Sequence, residues 1–418
     1  MNRAERALLA TVVLEGQKHW PVGESSKELY QLSQSTGIKI VGELLFRIKK
    51  PTASLFIGTG KAQEIHTFIH DEEIDVVIFN NDLSGAQQKN LEEVLGVKII
   101  DRTQLILDIF ARRAKSLEGK VQVELAQLEY LLPRLTGKGI MLSRLGGGIG
   151  TRGPGEQKLE VDRRRIAKRI VKLKRDLGQL KKRRHALSVS RKNKSLPLMA
   201  LVGYTNAGKS TLMNTLCSSH QAADERPFTT LDTKVKRLVL PNNQRVLISD
   251  TVGFIYNLPH HLIEAFKATL EEVLSADLLL HIVDISSEMY EEKQQAVYEI
   301  LKQLGVERKS TLLIFNKIDK LDNKSLIMKR NFEDYISISA KERKNISSLL
   351  EKMVLKLSSE LQNIKIIIPH TKMALLNIIH KSGHIQKEEF RTDGVYIEAW
   401  LPVILAKKIL TKLNCMLS

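Results

Sequence analysis

Apolar positions along this chain fall into blocks whose period changes twice, and each change marks a different kind of structure. Over residues 1–115, short apolar runs alternate with segments of helical spacing. Residues 7–14, 38–47, 76–80 and 97–100 read as strands, and residues 26–35, 61–70, 84–95 and 102–114 as helices. Strand and helix in alternation predict a small α/β domain with a largely parallel sheet. From Leu117 the period becomes helical alone. Leu117, Val121, Leu125, Leu128 and Leu132 step by four and three and so share one face. Leu159, Ile166, Ile170, Leu173, Leu177, Leu180 and Leu187 step by seven, four and three, which is a heptad seam. Two such helices, close in sequence, predict an antiparallel hairpin over residues 116–194. Strand-like runs return after 195. A last stretch, 362–418, carries strand-like runs at 365–369 and 395–400 and an apolar helix around 403–413, a small α/β tail.

The strand-like run at 198–202 leads into Gly203-Tyr204-Thr205-Asn206-Ala207-Gly208-Lys209-Ser210, then Thr211 and a helical segment. Strand, G-x-x-x-x-G-K-S and helix together are the context of a phosphate-binding loop. Its glycines let backbone N–H groups converge, and the helix N-terminus adds partial positive charge. Lys209 is expected to reach the β- and γ-phosphates, and Ser210 to give an oxygen to Mg²⁺. Downstream, the run at 312–315 ends in Asn316-Lys317-Ile318-Asp319. The Asp319 carboxylate can accept from both N1–H and the 2-amino group of guanine. Adenine offers neither donor and would leave that acceptor unpaired. The run at 245–249 leads into Asp250-Thr251-Val252-Gly253, where Asp250 is expected to hold a magnesium-bound water and the Gly253 N–H to sense the γ-phosphate. Ser339-Ala340-Lys341 follows the strand-like 335–338 and can back the guanine ring. Phe228-Thr229-Thr230-Leu231-Asp232 lies upstream of D-x-x-G, where a mobile loop supplies a threonine to Mg²⁺; Thr230 is the choice over Thr229. Five elements in this order predict a GTPase domain over 195–361. The expected fold class is α/β: that domain, preceded by a small α/β domain with a helical hairpin arm and followed by a small α/β C-terminal domain.

Composition narrows the setting. With 418 residues, 43% of them hydrophobic, two or three cored domains are expected. No run approaches the 18 or so apolar residues of a membrane helix, so no stable membrane insertion is expected. Residues 1–6 carry mixed charges and Thr11 interrupts the apolar run after them, which reads as a first strand rather than a signal peptide. Cys217 and Cys415 offer neither a disulfide framework nor a metal spacing, and a reducing cytoplasm is inferred.

The net charge is +18, unevenly spread. Residues 157–194 hold 16 Lys or Arg against Glu160, Asp162 and Asp176, which is +13 and leaves +5 for the other 380 residues. Charge this concentrated beside a GTPase domain predicts contact with nucleic-acid phosphates, carried by Arg163, Arg164, Lys168 and Lys172, with an anionic membrane surface as the alternative. Residues 137–155 hold eight glycines, and 133–155 contains Arg134, Lys138, Arg144 and Arg152 with no acid. Such a segment buries no core of its own, and glycine lets backbone approach a crowded surface. A basic tip nearly free of side chains fits a groove in folded RNA, with Arg144 and Arg152 as contacts. Gly58-Thr59-Gly60-Lys61 lacks the G-K-[ST] spacing and reads as a tight start to a helix, with ATP binding there as the alternative.

The motif order resembles the Ras-like superclass of P-loop GTPases. A fuller resemblance, over nearly the whole chain, is to the HflX family of ribosome-associated GTPases. Its specific marks are Gly147-Gly148-Ile149-Gly150-Thr151-Arg152-Gly153-Pro154-Gly155-Glu156 and Asp250-Thr251-Val252-Gly253-Phe254-Ile255, extended by Leu258-Pro259-His260 and Phe266-Lys267-Ala268-Thr269-Leu270-Glu271. The chain departs at Gln157-Lys158, where the family usually has Thr or Ser then Gln, and at Thr233, where it usually has Pro. The resemblance implies Mg²⁺-dependent GTP hydrolysis and binding to the large ribosomal subunit through rRNA, by a chain that is a monomer when free. It further implies that the glycine tip enters near the peptidyl transferase centre, with a role in ribosome splitting or subunit biogenesis. Many GTPases carry a water-orienting glutamine after D-x-x-G. Phe254 stands there instead, so slow intrinsic turnover and stimulation by a large partner are expected. Asn206 stands where potassium-stimulated GTPases carry the asparagine that helps bind K⁺; a simple turn asparagine is the equal alternative. Two other functions belong to different classes. A membrane- or protease-linked regulatory GTPase predicts liposome binding, and an RNA-remodelling ATPase of the N-terminal domain predicts ATP turnover that survives Lys209→Ala.

Overall fold

A computed structural model describes residues 5–16, 21–135, 154–193, 196–217, 234–256, 270–321, 335–358 and 361–414. In the N-terminal part, β1 (Arg6–Leu14), β2 (Lys39–Ile48), β3 (Val76–Phe79) and β4 (Lys98–Ile100) form one sheet in the order β2-β1-β3-β4. All its pairings are parallel. The connecting helices are α1 (Val22–Ser35), α2 (Thr59–Glu72), α3 (Gly85–Leu95) and α4 (Arg102–Arg113). Central β3 is buried along its length, the continuous apolar run that a sheet covered on both faces requires. Ser84 starts α3 with a capping box to Gln87, and Asp101 starts α4 by accepting from the Gln104 amide. Lys61 donates to the carbonyl of Arg47, which ties the Gly58–Lys61 helix start to the neighbouring strand.

The two helical stripes form α5 (Leu117–Leu131) and the 40-residue α6 (Pro154–Asn193). Leu125, Ile170 and Leu173 are buried between them, flanked by Val121, Leu128, Leu132, Ile166 and Leu177. Leu117 lies off this seam at 70% exposure. The side chains of Leu159 and Leu187 lie outside those described. The helix direction differs from expectation. Glu124 pairs with Arg169 at 2.6 Å and Glu129 with Lys174 at 2.8 Å, both 45 positions apart. A constant offset means that α5 and α6 run the same way; in an antiparallel pair it would shrink by ten over that span. The seam dictates that the helices pair but carries no direction. Residues 136–153 reach up to roughly 60 Å extended, against about 22 Å for α5, so the sequence imposes no short return.

The second sheet holds β5 (Leu198–Gly203), β6 (Lys234–Val239), β7 (Arg245–Asp250), β8 (Leu278–Asp284), β9 (Thr311–Asn316) and β10 (Tyr335–Ser337). Its order is β10-β9-β8-β5-β7-β6, parallel except for β6, which pairs antiparallel at the edge. Helices α7 (Lys209–Leu216), α8 (Glu271–Ser275), α9 (Tyr290–Gln303) and α10 (Ile346–Ser358) accompany it. The carboxyl ends of β5, β7, β8 and β9 are Gly203, Asp250, Asp284 and Asn316, so the motifs converge at the edge where open α/β sheets bind ligands. A third, antiparallel sheet of β11 (Leu361–Ile368), β12 (His384–Arg391) and β13 (Gly394–Pro402) runs β11-β13-β12. Helices α11 (Met373–Ser382) and α12 (Val403–Asn414) share its core of Ile364, Ile368, Ile379, Val395, Ile397, Leu401 and Ile409.

Candidate nucleotide site

The phosphate loop turns at two positions that only glycine fits. A Cβ at Gly203 would stand 2.3 Å from the Ile282 carbonyl oxygen, and one at Gly208, where φ is +96°, would stand 2.2 Å from Asn316 Nδ2. Asn206 takes φ +61°, the left-handed region that asparagine tolerates. The turn delivers Lys209 to the first position of α7. Its ammonium donates to the Gly203 and Tyr204 carbonyls at 3.0 and 2.8 Å, two of its three donors, leaving one for a phosphate. Burial pushes Lys209 down to about 8; Asp250 opposes that shift and Lys317 adds to it. A desolvated cation at a helix N-terminus is a strong attractor for an anion.

Ser210 Oγ donates to Asp250 Oδ2 at 2.7 Å, so the two expected metal-side groups meet directly. Thr251 Oγ1 donates to the Leu201 carbonyl at 2.6 Å and fixes the end of β7 on β5. Hydroxyl and carboxylate oxygens side by side are the hard donors that Mg²⁺ prefers. Gly253 lies against the loop: a Cβ there would be 2.9 Å from Thr205 Cα and 3.1 Å from Lys209 Nζ.

On the base side the motifs are wired together. Asn316 Nδ2 donates to the Ala207 carbonyl at 2.9 Å, and Asn316 Oδ1 accepts from the Ala340 amide at 3.0 Å. One buried side chain thus joins the phosphate loop to the Ser339–Lys341 loop. Asp319 Oδ1 accepts from Ser339 Oγ at 2.5 Å, and Ser339 Oγ accepts from the Glu342 amide at 3.0 Å. Lys317, at φ +67°, pairs with Asp284 at 2.7 Å. Lys341 is exposed beside them. Three contributors were not found by sequence reasoning. Asp284 orients Lys317, Thr215 Oγ1 donates to the Ala340 carbonyl at 2.8 Å, and His281 is buried within β8. Burial and the nearby Lys209 push the His281 imidazole down to about 4, so it is neutral near neutral pH. A histidine inside Leu-Leu-Leu-His-Ile-Val-Asp was the available signal.

Other expected residues lie elsewhere. Phe228, Thr229, Thr230, Leu231 and Asp232, like Arg144 and Arg152, lie outside the described residues. Arg163, Arg164, Lys168 and Lys172 are exposed on α6. At 100° per residue, Arg164, Lys168 and Lys172 fall opposite the seam, together with Arg175 and Lys182, whereas Arg163 falls nearer its flank. Arg164 also pairs with Glu160 at 2.7 Å, an exposed contact of little strength.

Comparisons with known proteins cover nearly all of the chain. Three family models match: GTP-binding GTPase N-terminal over residues 23–111, GTP-binding GTPase Middle Region over 113–191, and 50S ribosome-binding GTPase over 198–317. The GTPase HflX of Caldanaerobacter subterraneus is 45% identical over 395 residues, 94% of this chain and 90% of the relative. That of Escherichia coli is 37% identical over 407 residues, 96% and 95% of the two chains. Among solved structures, a Sulfolobus solfataricus GTP-binding protein in complex with GDP is 27% identical, with 84% of this chain and 99% of that one covered and a TM-score of 0.44.

Proposed function

The chain belongs to the HflX family of GTPases, and from that premise we propose that it is a GTP-hydrolysing switch that binds the large ribosomal subunit through rRNA, in the cytoplasm, to split ribosomes or assist subunit biogenesis. The observation that carries the nucleotide half is Asn316, whose amide joins the phosphate loop to the base-side loop at 2.9 and 3.0 Å. It makes phosphate and base recognition one rigid unit. The ribosome half is supported by the cationic stripe of α6 and by the family model whose description is a 50S ribosome-binding GTPase. Among the described residues no helix is long and apolar enough to cross a membrane.

In this reading the backbone N–H groups of Asn206 and of 208–210 cradle the phosphates, and Lys209 supplies its remaining donor to the β–γ bridge. Ser210, Thr230 and, through water, Asp250 would hold Mg²⁺, which supplies charge neutralisation on the phosphates. The Gly253 amide senses the γ-phosphate, and Asp319 reads the guanine edge. Phe254 brings no side-chain hydrogen bond to the attacking water, so the rate depends on backbone groups, on the partner, and on any K⁺ held near Asn206. A direct test replaces the reader and the lysine separately. Asp319→Asn is expected to weaken GTP and gain xanthosine triphosphate, whose 2-oxo group suits an amide donor, and Lys209→Ala to abolish turnover. Unchanged preference for GTP in Asp319→Asn removes that residue from the site, and turnover that survives Lys209→Ala moves the chemistry elsewhere.

A further inference from the structure

Hydrogen bonds join the phosphate loop to the segment after D-x-x-G, and three of them define the contact. The Thr205 amide donates to the Phe254 carbonyl at 2.7 Å, and the Phe254 amide donates to the Gly203 carbonyl at 3.1 Å. The Tyr256 amide donates to the Tyr204 hydroxyl at 2.8 Å. The first two are backbone bonds open to any sequence. The third depends on one side chain.

Tyr204 is well held. It is 7% exposed, and the Lys293 ammonium of α9 lies 5.8 Å from its ring centroid. Lys293 is itself fixed by donating to Ser287 Oγ at 2.7 Å. The tyrosine is therefore braced from α9 while its hydroxyl grips the switch segment. The result is the close seating of Gly253, where a Cβ would stand 2.9 Å from Thr205 Cα and 3.1 Å from Lys209 Nζ. A phosphoryl group approaching Lys209 from that side meets the Gly253 turn. If the Gly253 amide meets the γ-phosphate, as in the reading above, a diphosphate would end one phosphoryl group short of it. A ligand shifts a conformational equilibrium only by its differential affinity for the two states. Any group that holds the turn down therefore weakens triphosphate binding relative to diphosphate.

We propose that Tyr204 is a positioning residue of the switch: its hydroxyl, accepting from the Tyr256 amide, stabilises the turn on the phosphate loop, an arrangement that a nucleoside triphosphate must open and a diphosphate leaves closed. The proposal rests on the GTPase reading above. It gives the second residue of the phosphate loop a role in nucleotide discrimination distinct from holding phosphate.

The test uses the full chain and Tyr204→Phe, which removes only the hydroxyl. Affinities for GDP and for a non-hydrolysable GTP analogue are measured for parent and variant, with circular dichroism and melting to establish folding. One net hydrogen bond sets the scale, so the analogue-to-GDP affinity ratio should rise roughly two- to tenfold. Lys293→Met, which loosens the ring without touching the hydroxyl, should shift the ratio the same way by a smaller factor. A merely structural tyrosine lowers the melting temperature and both affinities together, leaving the ratio fixed, and that result overturns the proposal. A falling ratio overturns it too, since the hydroxyl would then serve the triphosphate. If the parent bound neither nucleotide, the GTPase reading itself would fail and take this proposal with it.

Discussion

The ammonium of Lys209 carries the sharpest consequence at the scale of single residues. Burial holds it down to about 8, whereas a bound polyphosphate favours the charged form. Binding therefore takes up a proton once the pH passes that value, and affinity falls as the pH rises. Between pH 7 and 8.5, GTP affinity should drop about fourfold, as a single titration near 8 requires. A flat profile by fluorescent-nucleotide titration would mean that Lys209 is already fully charged in the free protein. The motifs that end β5, β7 and β9 were legible, because each fixes residue types at fixed spacing. Their partners were not. Asp284 meets Lys317 across 33 positions and Thr215 meets Ala340 across 125, and no local pattern encodes such contacts. His281 shows in the sequence only as one polar residue in an apolar strand, which leaves the period unchanged.

Among the elements, the long buried strands and strongly periodic helices matched their sequence patterns. Residues 7–14 and 76–80 read as strands in the sequence, and the chain forms them at Arg6–Leu14 and Val76–Phe79. What escaped was edge structure. β6 carries Lys234, Lys236 and Arg237 among its residues, and β12 reads His-Ile-Gln-Lys-Glu-Glu-Phe-Arg, so neither offers an apolar run. The direction of the α5–α6 pair escaped as well, because leucine spacing is the same read either way. The offset of 45 makes a concrete prediction. Cysteines introduced as Glu129→Cys with Lys174→Cys should be joined by a short bifunctional maleimide. Glu129→Cys with Arg164→Cys, which an antiparallel pair would bring together, should not be. The opposite result would restore the hairpin direction expected from sequence proximity.

For the molecule as a whole, the proposed partner rests on charge. A net +18 with +13 inside 38 residues favours polyanions, and α6 spreads Arg164, Lys168, Lys172 and Arg175 along the side away from the seam. Each such cation on a phosphate releases counterions, so log affinity should fall linearly with log salt. That stripe lies opposite the seam with α5, and the nucleotide loops are built on the six-stranded sheet. Nucleotide binding and subunit binding should therefore be separable by substitution yet coupled through the nucleotide state. Sedimentation with purified large subunits through sucrose gradients is the most direct measurement, run with a non-hydrolysable GTP analogue or GDP over a series of salt concentrations. Co-sedimentation with the analogue and release with GDP are expected. Replacing Arg164, Lys168, Lys172 and Arg175 with Ala should weaken binding and reduce the log–log salt slope by roughly three units. Binding that is equally tight with both nucleotides, or a four-alanine variant with the parent's affinity and salt slope, would contradict a GTP-controlled grip on rRNA through α6.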